Sequence, residues 1–263
     1  MNAILVTGIC GGMGKTTAQF LIDKGYNVVG IDYKEFCDVD GVLYYKADIT
    51  SKNALNEVYN EIEKQNIRLD AICHFAGIYN MDSLVEISEE DMMKIFNVNY
   101  FGVYRINKIF LPLLNDKSKI IITSSELAPL DPLPFTGLYG ITKSTLEKYA
   151  YSLRMELNLL EHKVIVIRPG AVKTSLLNDS TISIDRFIDK TILYKDTSTR
   201  FKKIVDSVES KNIDPMKIAK ITYKALTKKR PKFIYNVNRN FLLKVLNILP
   251  DRLQVSIIGR LLK

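Results

Sequence analysis

Short runs of Val, Ile and Leu alternate along this chain with longer stretches in which apolar residues recur every three or four positions. Residues 3–7, 27–32, 42–47, 69–76, 119–124 and 163–168 form the short runs. Apolar almost throughout, they predict strands buried on both faces. Between them, 14–25, 51–66, 88–115 and 136–162 carry the helical spacing. Residues 214–229 predict a further helix and Lys232 to Val237 a last strand. This alternation predicts an α/β fold, a doubly wound parallel sheet with helices on both faces. No repeat or low-complexity linker divides residues 1–237, which read as one domain.

Two segments depart from the alternation. Residues 175–212 mix polar and apolar positions without a clear period, which suits a mobile loop or lid. Their Leu176, Leu177, Ile182, Ile184, Phe187, Ile188, Ile192 and Leu193 would give a pocket beneath them an apolar roof. Residues 238–263 read as an amphipathic helical tail, which Pro250 should break into two short helices.

Charge changes how that tail is read. The 263 residues hold 37 Lys and Arg against 29 Asp and Glu, a net +8. Residues 228–263 contain nine basic residues, with Asp251 as their only acid, so the body of the chain is balanced and the excess lies at the end. Three uses fit such a segment: packing on its own sheet or on a partner subunit, lying as a basic amphipathic element in an anionic membrane interface, or binding nucleic acid. Its basic residues are spaced among aliphatics with little aromatic interleaving, which argues against nucleic acid.

Cys10, Cys37 and Cys73 are scattered and form no CxxC pair, which argues against a disulfide framework or a zinc site and for a reducing compartment. Met1 runs within two residues into the strand-like Ala3–Val6, leaving no room for a signal peptide, and no run of 18 uncharged apolar residues exists. A cytoplasmic protein is expected, soluble or peripheral at a membrane.

Candidate chemistry begins after the first strand, at Thr7-Gly8-Ile9-Cys10-Gly11-Gly12-Met13-Gly14-Lys15-Thr16-Thr17. Glycines between a strand and a helix let backbone N–H groups approach a phosphate at the helix N-terminus. One reading is a P-loop ending in Gly14-Lys15-Thr16, but its first glycine would fall on Ile9. The other is TGxxxGxG, with Thr7, Gly8, Gly12 and Gly14 in register and Asp32 ending the next strand. A carboxylate there accepts hydrogen bonds from both adenosine ribose hydroxyls and repels a 2′-phosphate, which favours NAD(H) over NADP(H). Lys34, just past the strand, works against that preference.

Tyr139 and Lys143 stand four apart, on one face of the predicted helix. A nearby ammonium favours phenolate and should lower the tyrosine pKa toward the range of a working acid or base. Tyr104 and Lys108 share the spacing. What distinguishes Tyr139 is its company: Ser124-Ser125 ends the strand before its helix, and Arg168-Pro169-Gly170 ends the strand after it.

With Asp48-Ile49, Ala76-Gly77, Asn97-Val98-Asn99-Tyr100-Phe101-Gly102 and Thr174 added, the sequence resembles the short-chain dehydrogenase/reductase family from residue 3 to about 237. The resemblance implies a Rossmann fold and a nicotinamide cofactor. It implies that Tyr139 gives or takes the hydroxyl proton, Lys143 holds the nicotinamide ribose and depresses the tyrosine pKa, Ser125 bonds the substrate oxygen, and Asn99 anchors a water in the relay. Asp48 would contact the adenine, Pro169, Gly170 and Thr174 would border the nicotinamide, and Val172 would belong to the cofactor site. Thr7, Gly8, Gly12, Met13, Gly14, Asp32, Ile49, Ala76 and Gly77 complete the expected cofactor site, with no metal. A homodimer or homotetramer through helices corresponding to 92–115 and 136–162 is implied too.

Two positions depart from the family pattern. His74-Phe75-Ala76-Gly77 stands where Asn-Asn-Ala-Gly is usual, which implies altered packing at a central strand. The usual serine lies 13 residues before the tyrosine, where this chain has Glu126; Ser125 lies 14 before, with Ser124 as a lesser candidate. His74 follows an apolar strand, and a packed histidine is expected there in preference to a metal ligand. The expected substrate is a hydrophobic alcohol or ketone, steroid-like or lipid. A nucleotide hydrolase using Gly11 to Thr17, and a non-catalytic dinucleotide-sensing scaffold, are the alternatives; neither accounts for Tyr139, Lys143, Ser125 and Asn99 together.

Overall fold

The structure is a computed structural model that describes the backbone of residues 1–263 and the side chains of all but residues 175, 176, 178 and 179. Seven strands form one parallel sheet: β1 (Asn2–Thr7), β2 (Val28–Asp32), β3 (Leu43–Lys46), β4 (Arg68–His74), β5 (Leu114–Thr123), β6 (Lys163–Pro169) and β7 (Ile234–Val237). Their order is β3-β2-β1-β4-β5-β6-β7. The order reverses between β1 and β4, and ligands bind at that switch, beyond the carboxyl ends of the strands.

Helices α1 (Gly12–Asp23), α2 (Lys52–Lys64), α3 (Glu89–Phe96), α4 (Val103–Phe110), α5 (Gly137–Asn158) and α8 (Met216–Thr227) cover the two faces. One core joins the sheet to α2, α4 and α5 through Leu55, Ile62, Ile106, Phe110 and Leu146; another joins it to α1 and α8 through Ala18, Leu21, Ile218 and Ala225. β2 is buried at every position, which explains its unbroken apolar run.

The stretch expected as one helix over 88–115 is divided. α3 and α4 are separated by a π-helical turn, Asn97–Gly102, and β5 begins at Leu114, which pairs with Leu69. The wide turn carries Asn99, whose side chain bonds backbone outside the helix.

The segment 175–212, expected as a loop or lid, is two helices, α6 (Ser175–Lys190) and α7 (Lys195–Glu209). Ser180, Ser183, Ile184 and Phe187 are buried at helical spacing on α6, as are Ser198, Phe201 and Val205 on α7. Serines on the inner face hid that period from a purely apolar reading. Leu176, expected in the roof, lies outside the residues whose side chains are described.

The tail is α9 (Phe241–Leu246) and α10 (Asp251–Leu262), divided at Pro250 as expected. α10 packs on the lid helices: Leu262 and Ile258 join Phe135, Phe187, Phe201 and Val205 in a third cluster. Gln254 Nε2 donates to Asp131 Oδ2 at 3.2 Å, fixing α10 to the proline-rich loop. Phe135 ends that loop with φ 64°, its ring 4.7 Å from that of Phe187 and 5.3 Å from that of Phe201. No described helix is long and apolar enough to cross a membrane.

Candidate active site

At the end of β1 the chain turns through Gly8, whose φ of 69° is one that L side chains rarely adopt. A Cβ there would strike the Ala76 backbone, one at Gly14 would strike the Gly8 carbonyl, and one at Gly12 would stand 2.7 Å from Thr174 Cγ2. Backbone therefore passes close to backbone over the switch point. α1 opens on Gly11 with no side-chain cap and no acidic residue in its first turn, whereas Ser51 caps α2 and Ser88 caps α3. The first N–H groups of α1 are left for an anion. Thr7 Oγ1 is buried without a hydrogen-bond partner among the described residues.

Asp32 ends β2 nearly buried, Oδ2 accepting from the Cys10 N–H at 3.0 Å and Oδ1 from the Lys34 N–H at 3.3 Å. Lys15 pairs with Asp38 and Lys46 with Glu35. The glycine cradle, the uncapped helix start and this carboxylate together fit a dinucleotide. Ile49 packs against Gly102, while Asp48 is exposed and its Oδ1 accepts from the Thr50 N–H at 2.8 Å. Asp48 and Ile49 do not line the cavity that holds Tyr139.

That cavity, of about 180 Å³, lies at the carboxyl ends of β4, β5 and β6. Met13, Gly77, Ser125, Tyr139, Lys143, Pro169, Gly170, Val172 and Thr174 all line it. Asn99 is fully buried beneath it: Oδ1 accepts from the Ile78 N–H and Nδ2 donates to the Ile78 carbonyl, both at 2.9 Å, and Nδ2 also meets Thr142 Oγ1 at 3.2 Å. A Cβ at Gly77 would stand 3.3 Å from Asn99 Oδ1 and 3.6 Å from Lys143 Nζ, so these three groups converge.

Lys143 Nζ donates to the Thr123 carbonyl at 3.2 Å and lies 5.6 Å from the Tyr139 ring centroid. Burial lowers the Lys143 pKa to about 8, opposed by the charge of Glu147. Burial pushes Tyr139 up to about 12, with the Ser125 hydroxyl opposing the rise as a hydrogen-bond partner. The expectation of a tyrosine depressed by Lys143 is thus corrected for the protein alone: loss of water around the phenol is the dominant influence on it. Ser125 lines the cavity together with Tyr139, and its Oγ accepts from the Leu127 N–H at 3.2 Å.

Three residues missed by sequence reasoning also shape this cavity. Tyr79 packs on Tyr139 with ring centroids 4.3 Å apart, and Glu126 and Glu209 bring carboxyls to the lining. Glu126 carried a signal, since it occupies the usual serine position; Tyr79 and Glu209 carried none. His74 is packed, its Nε2 2.8 Å from Asn107 Oδ1, and Asn107 Nδ2 donates to Tyr149 OH at 3.2 Å. The altered strand end is therefore a buried polar chain tying β4 to α4 and α5.

Comparison with known proteins agrees with this architecture. The chain is 28% identical over 231 residues to a 3-ketodihydrosphingosine reductase of Bacteroides thetaiotaomicron, covering 88% of this chain and 85% of that one. Its fold is similar to that of a short-chain dehydrogenase from Streptomyces avermitilis, with TM-score 0.77, 19% identity, and coverage of 98% and 96%. It is similar as well to an alcohol dehydrogenase from Thermococcus sibiricus complexed with 5-hydroxy-NADP, with TM-score 0.70, 19% identity, and coverage of 92% and 98%. The family described as short chain dehydrogenase matches residues 2–183, well over half the length, and the chain belongs to that family.

Proposed function

We propose that this oxidoreductase uses NAD(H) to interconvert a secondary alcohol and a ketone on a hydrophobic, lipid-like or steroid-like substrate. The observation that carries the reading is the Tyr139 phenol, paired with Ser125 and backed by Lys143, at one end of a cavity walled by Met81, Leu133, Phe201, Ile204, Val205 and Leu243. The name of the sphingosine-related relative supports a lipid-like substrate.

When bound, the nicotinamide supplies or accepts the hydride. The chain's own residues orient the substrate and handle the proton. In ketone reduction the Tyr139 phenol, held neutral by burial, donates to the carbonyl oxygen, and the Ser125 hydroxyl donates a second hydrogen bond to that oxygen. Lys143 supplies the cation beside the phenolate left behind, and Asn99, fixed by both polar groups of Ile78, holds the turn that would seat a water. The aliphatic walls exclude bulk water.

Asp32 supports NAD(H): a 2′-phosphate would face a nearly buried carboxylate, and Lys15 and Lys46 are committed to Asp38 and Glu35. Absorbance of the reduced nicotinamide tests the reading with NADH and NADPH against long-chain ketones and small polyols. Turnover of the ketones with at least a tenfold preference for NADH is expected; activity confined to polyols overturns the substrate class, and a preference for NADPH overturns the cofactor assignment.

Two contacts belong to the same reading. Exposed Phe241, Leu242, Val245 and Ile248 beside Lys244 fit an anionic membrane interface, with α10 packed on the protein. Vesicles containing an anionic lipid should sediment the protein, and replacing Phe241 and Leu242 by Ser should release it; an unchanged bound fraction excludes the contact. Exposed Phe101, Tyr104, Tyr151 and Met155 on the α4–α5 side fit a homo-oligomer, which light scattering reads directly.

A further inference from the structure

Helix α9 is held by its two ends. None of its six residues is fully buried, and Phe241 and Leu242 are 72% and 70% exposed, so apolar burial fixes it only weakly. Yet Leu243, half-buried on this helix, walls the cavity that holds Tyr139. Polar contacts do what burial does not. At the far end Asn247 Oδ1 accepts from the Asp131 N–H at 2.6 Å. At the near end Asn240 caps the helix, and its own N–H donates to Glu126 Oε2 at 2.5 Å.

Glu126 directly follows Ser125 and stands where the family pattern has its serine. It is buried, and among the described residues it has no ion-pair partner. Burial raises its pKa, opposed by the Asn240 N–H and by the charge of Arg239. A carboxyl withdrawn from water is tolerated where it is hydrogen-bonded, and the bond it makes here is to the tail. A serine at this position, two bonds shorter, would not reach. The Glu126 N–H donates to the Pro169 carbonyl at 2.8 Å, and the Gly170 N–H to the Val237 carbonyl at 2.8 Å. A Cβ on Gly170 would strike the Asn238 carbonyl and stand 2.8 Å from Glu126 Oε1. The ends of β5 and β6 and the start of the tail therefore meet at one point, beside Ser125.

We propose that Glu126 is a positioning residue for the substrate: by accepting the Asn240 N–H it holds α9 against the catalytic loop, so that Leu243 forms a fixed wall for the apolar part of the ligand. A charged acceptor makes the stronger bond to that N–H, which suits a helix with so little buried surface. Glu126 then governs affinity for the apolar ligand and not the proton transfer at Tyr139. This deepens, and rests on, the reading of the cavity as an apolar alcohol or ketone site.

A double-mutant cycle on the full chain tests this, read by calorimetric titration with 2-decanol and by turnover of 2-decanone at saturating cofactor. Glu126→Ala should weaken 2-decanol binding and raise the KM for 2-decanone about fivefold, the scale of losing Leu243 itself, with the loss falling on KM and not on kcat. In a Leu243→Ala background the same substitution should cost less than about twofold more, because the wall it positions is gone; in a Met81→Ala background it should cost about fivefold again. Glu126→Gln keeps an acceptor for the N–H and should recover at least half of the loss. Asn240→Pro withdraws the donor at a φ of −71° that proline adopts, and should reproduce the loss. It leaves the catalytic loop untouched, so it carries the test if Glu126→Ala does not fold. Losses that multiply in the Leu243→Ala background overturn the proposal, since Glu126 would then meet the ligand directly. So does a loss confined to kcat, or an Asn240→Pro variant that binds 2-decanol as tightly as the unsubstituted protein. If 2-decanone is not reduced while the coupling to Leu243 persists in 2-decanol binding, the oxidoreductase reading fails and the positioning role stands. If 2-decanone is reduced and the losses multiply, this inference fails and that reading stands.

Discussion

The two sides of the cleft are built from different material. On the cofactor side the surface is backbone: Gly8, Gly12 and Gly14 stand where any Cβ would collide, and the start of α1 is left uncapped. On the substrate side the surface is side chains brought from distant stretches, Leu133 before α5, Phe201 and Glu209 on α7, and Leu243 on α9. A backbone surface has no atom to spare, so added volume should cost it more affinity than a trimmed side chain costs the other side. A side-chain surface can be retuned one group at a time, and substitutions there should grade the affinity.

The largest effect should fall where the sides meet. Tyr139→Phe removes only the phenolic hydroxyl and should lower kcat on the order of 10³-fold, the scale of a lost general acid. Binding of the reduced cofactor, followed by its fluorescence, should stay within about twofold. Equal loss of cofactor affinity and turnover would break the division into two sides.

Beneath both sides, His74 links β4 to Asn107 and through it to Tyr149. Burial lowers its pKa from 6.5 to about 4. A depressed folded-state value means that the stability it confers is complete above pH 6.5 and is lost as pH falls through about 4. The full loss is about 3 kcal/mol from the size of the shift. Urea unfolding at pH 7 and pH 4 should show most of that loss in the unsubstituted protein and little of it in His74→Asn. An equally acid-sensitive variant would place the titration elsewhere.

The same division decides what could be read in the sequence. Backbone crowding leaves a mark at a fixed position, because Gly8, Gly12 and Gly14 are required whatever surrounds them, and Asp32 follows at the end of a strand that is apolar throughout. The unbroken runs of Val and Ile announced the parallel sheet for the same reason: two buried faces admit nothing else. The lid left a weaker mark. Ser180, Ser183 and Ser198 stand among the buried positions of α6 and α7, and a helix whose inner face is partly hydroxyl shows no apolar period. Tyr79 and Glu209 left none, since each reaches the cavity through long-range packing that local spacing does not encode. The upward shift of Tyr139 was equally invisible, being set by burial and not by its neighbour four residues on.

Gly14→Ala sharpens the backbone side. Its Cβ would meet the Gly8 carbonyl, so the loop must open or the substitution must displace it. Overpacking of this kind costs roughly 1–3 kcal/mol, and cofactor affinity should fall about 30-fold by that measure. The KM for ketone, measured at saturating cofactor, should hold within twofold. An affinity loss below threefold would show that this turn has slack and would weaken the contrast.

Leu243→Ala sharpens the other side and should have the smallest effect. Leu243 is half-buried on α9 and reaches the cavity from the tail. Truncating it removes apolar contact from the ground state and the transition state alike, so KM should rise while kcat holds. Losing part of a leucine's burial is worth roughly 1 kcal/mol, which is about fivefold in KM for an apolar ketone. The KM for NADH should not move, because Gly8, Gly12 and Gly14 do not line the cavity that Leu243 walls. A change in cofactor KM with none in ketone KM would mean that the tail acts through the fold and not through the pocket wall, and the substrate side would then end at α7.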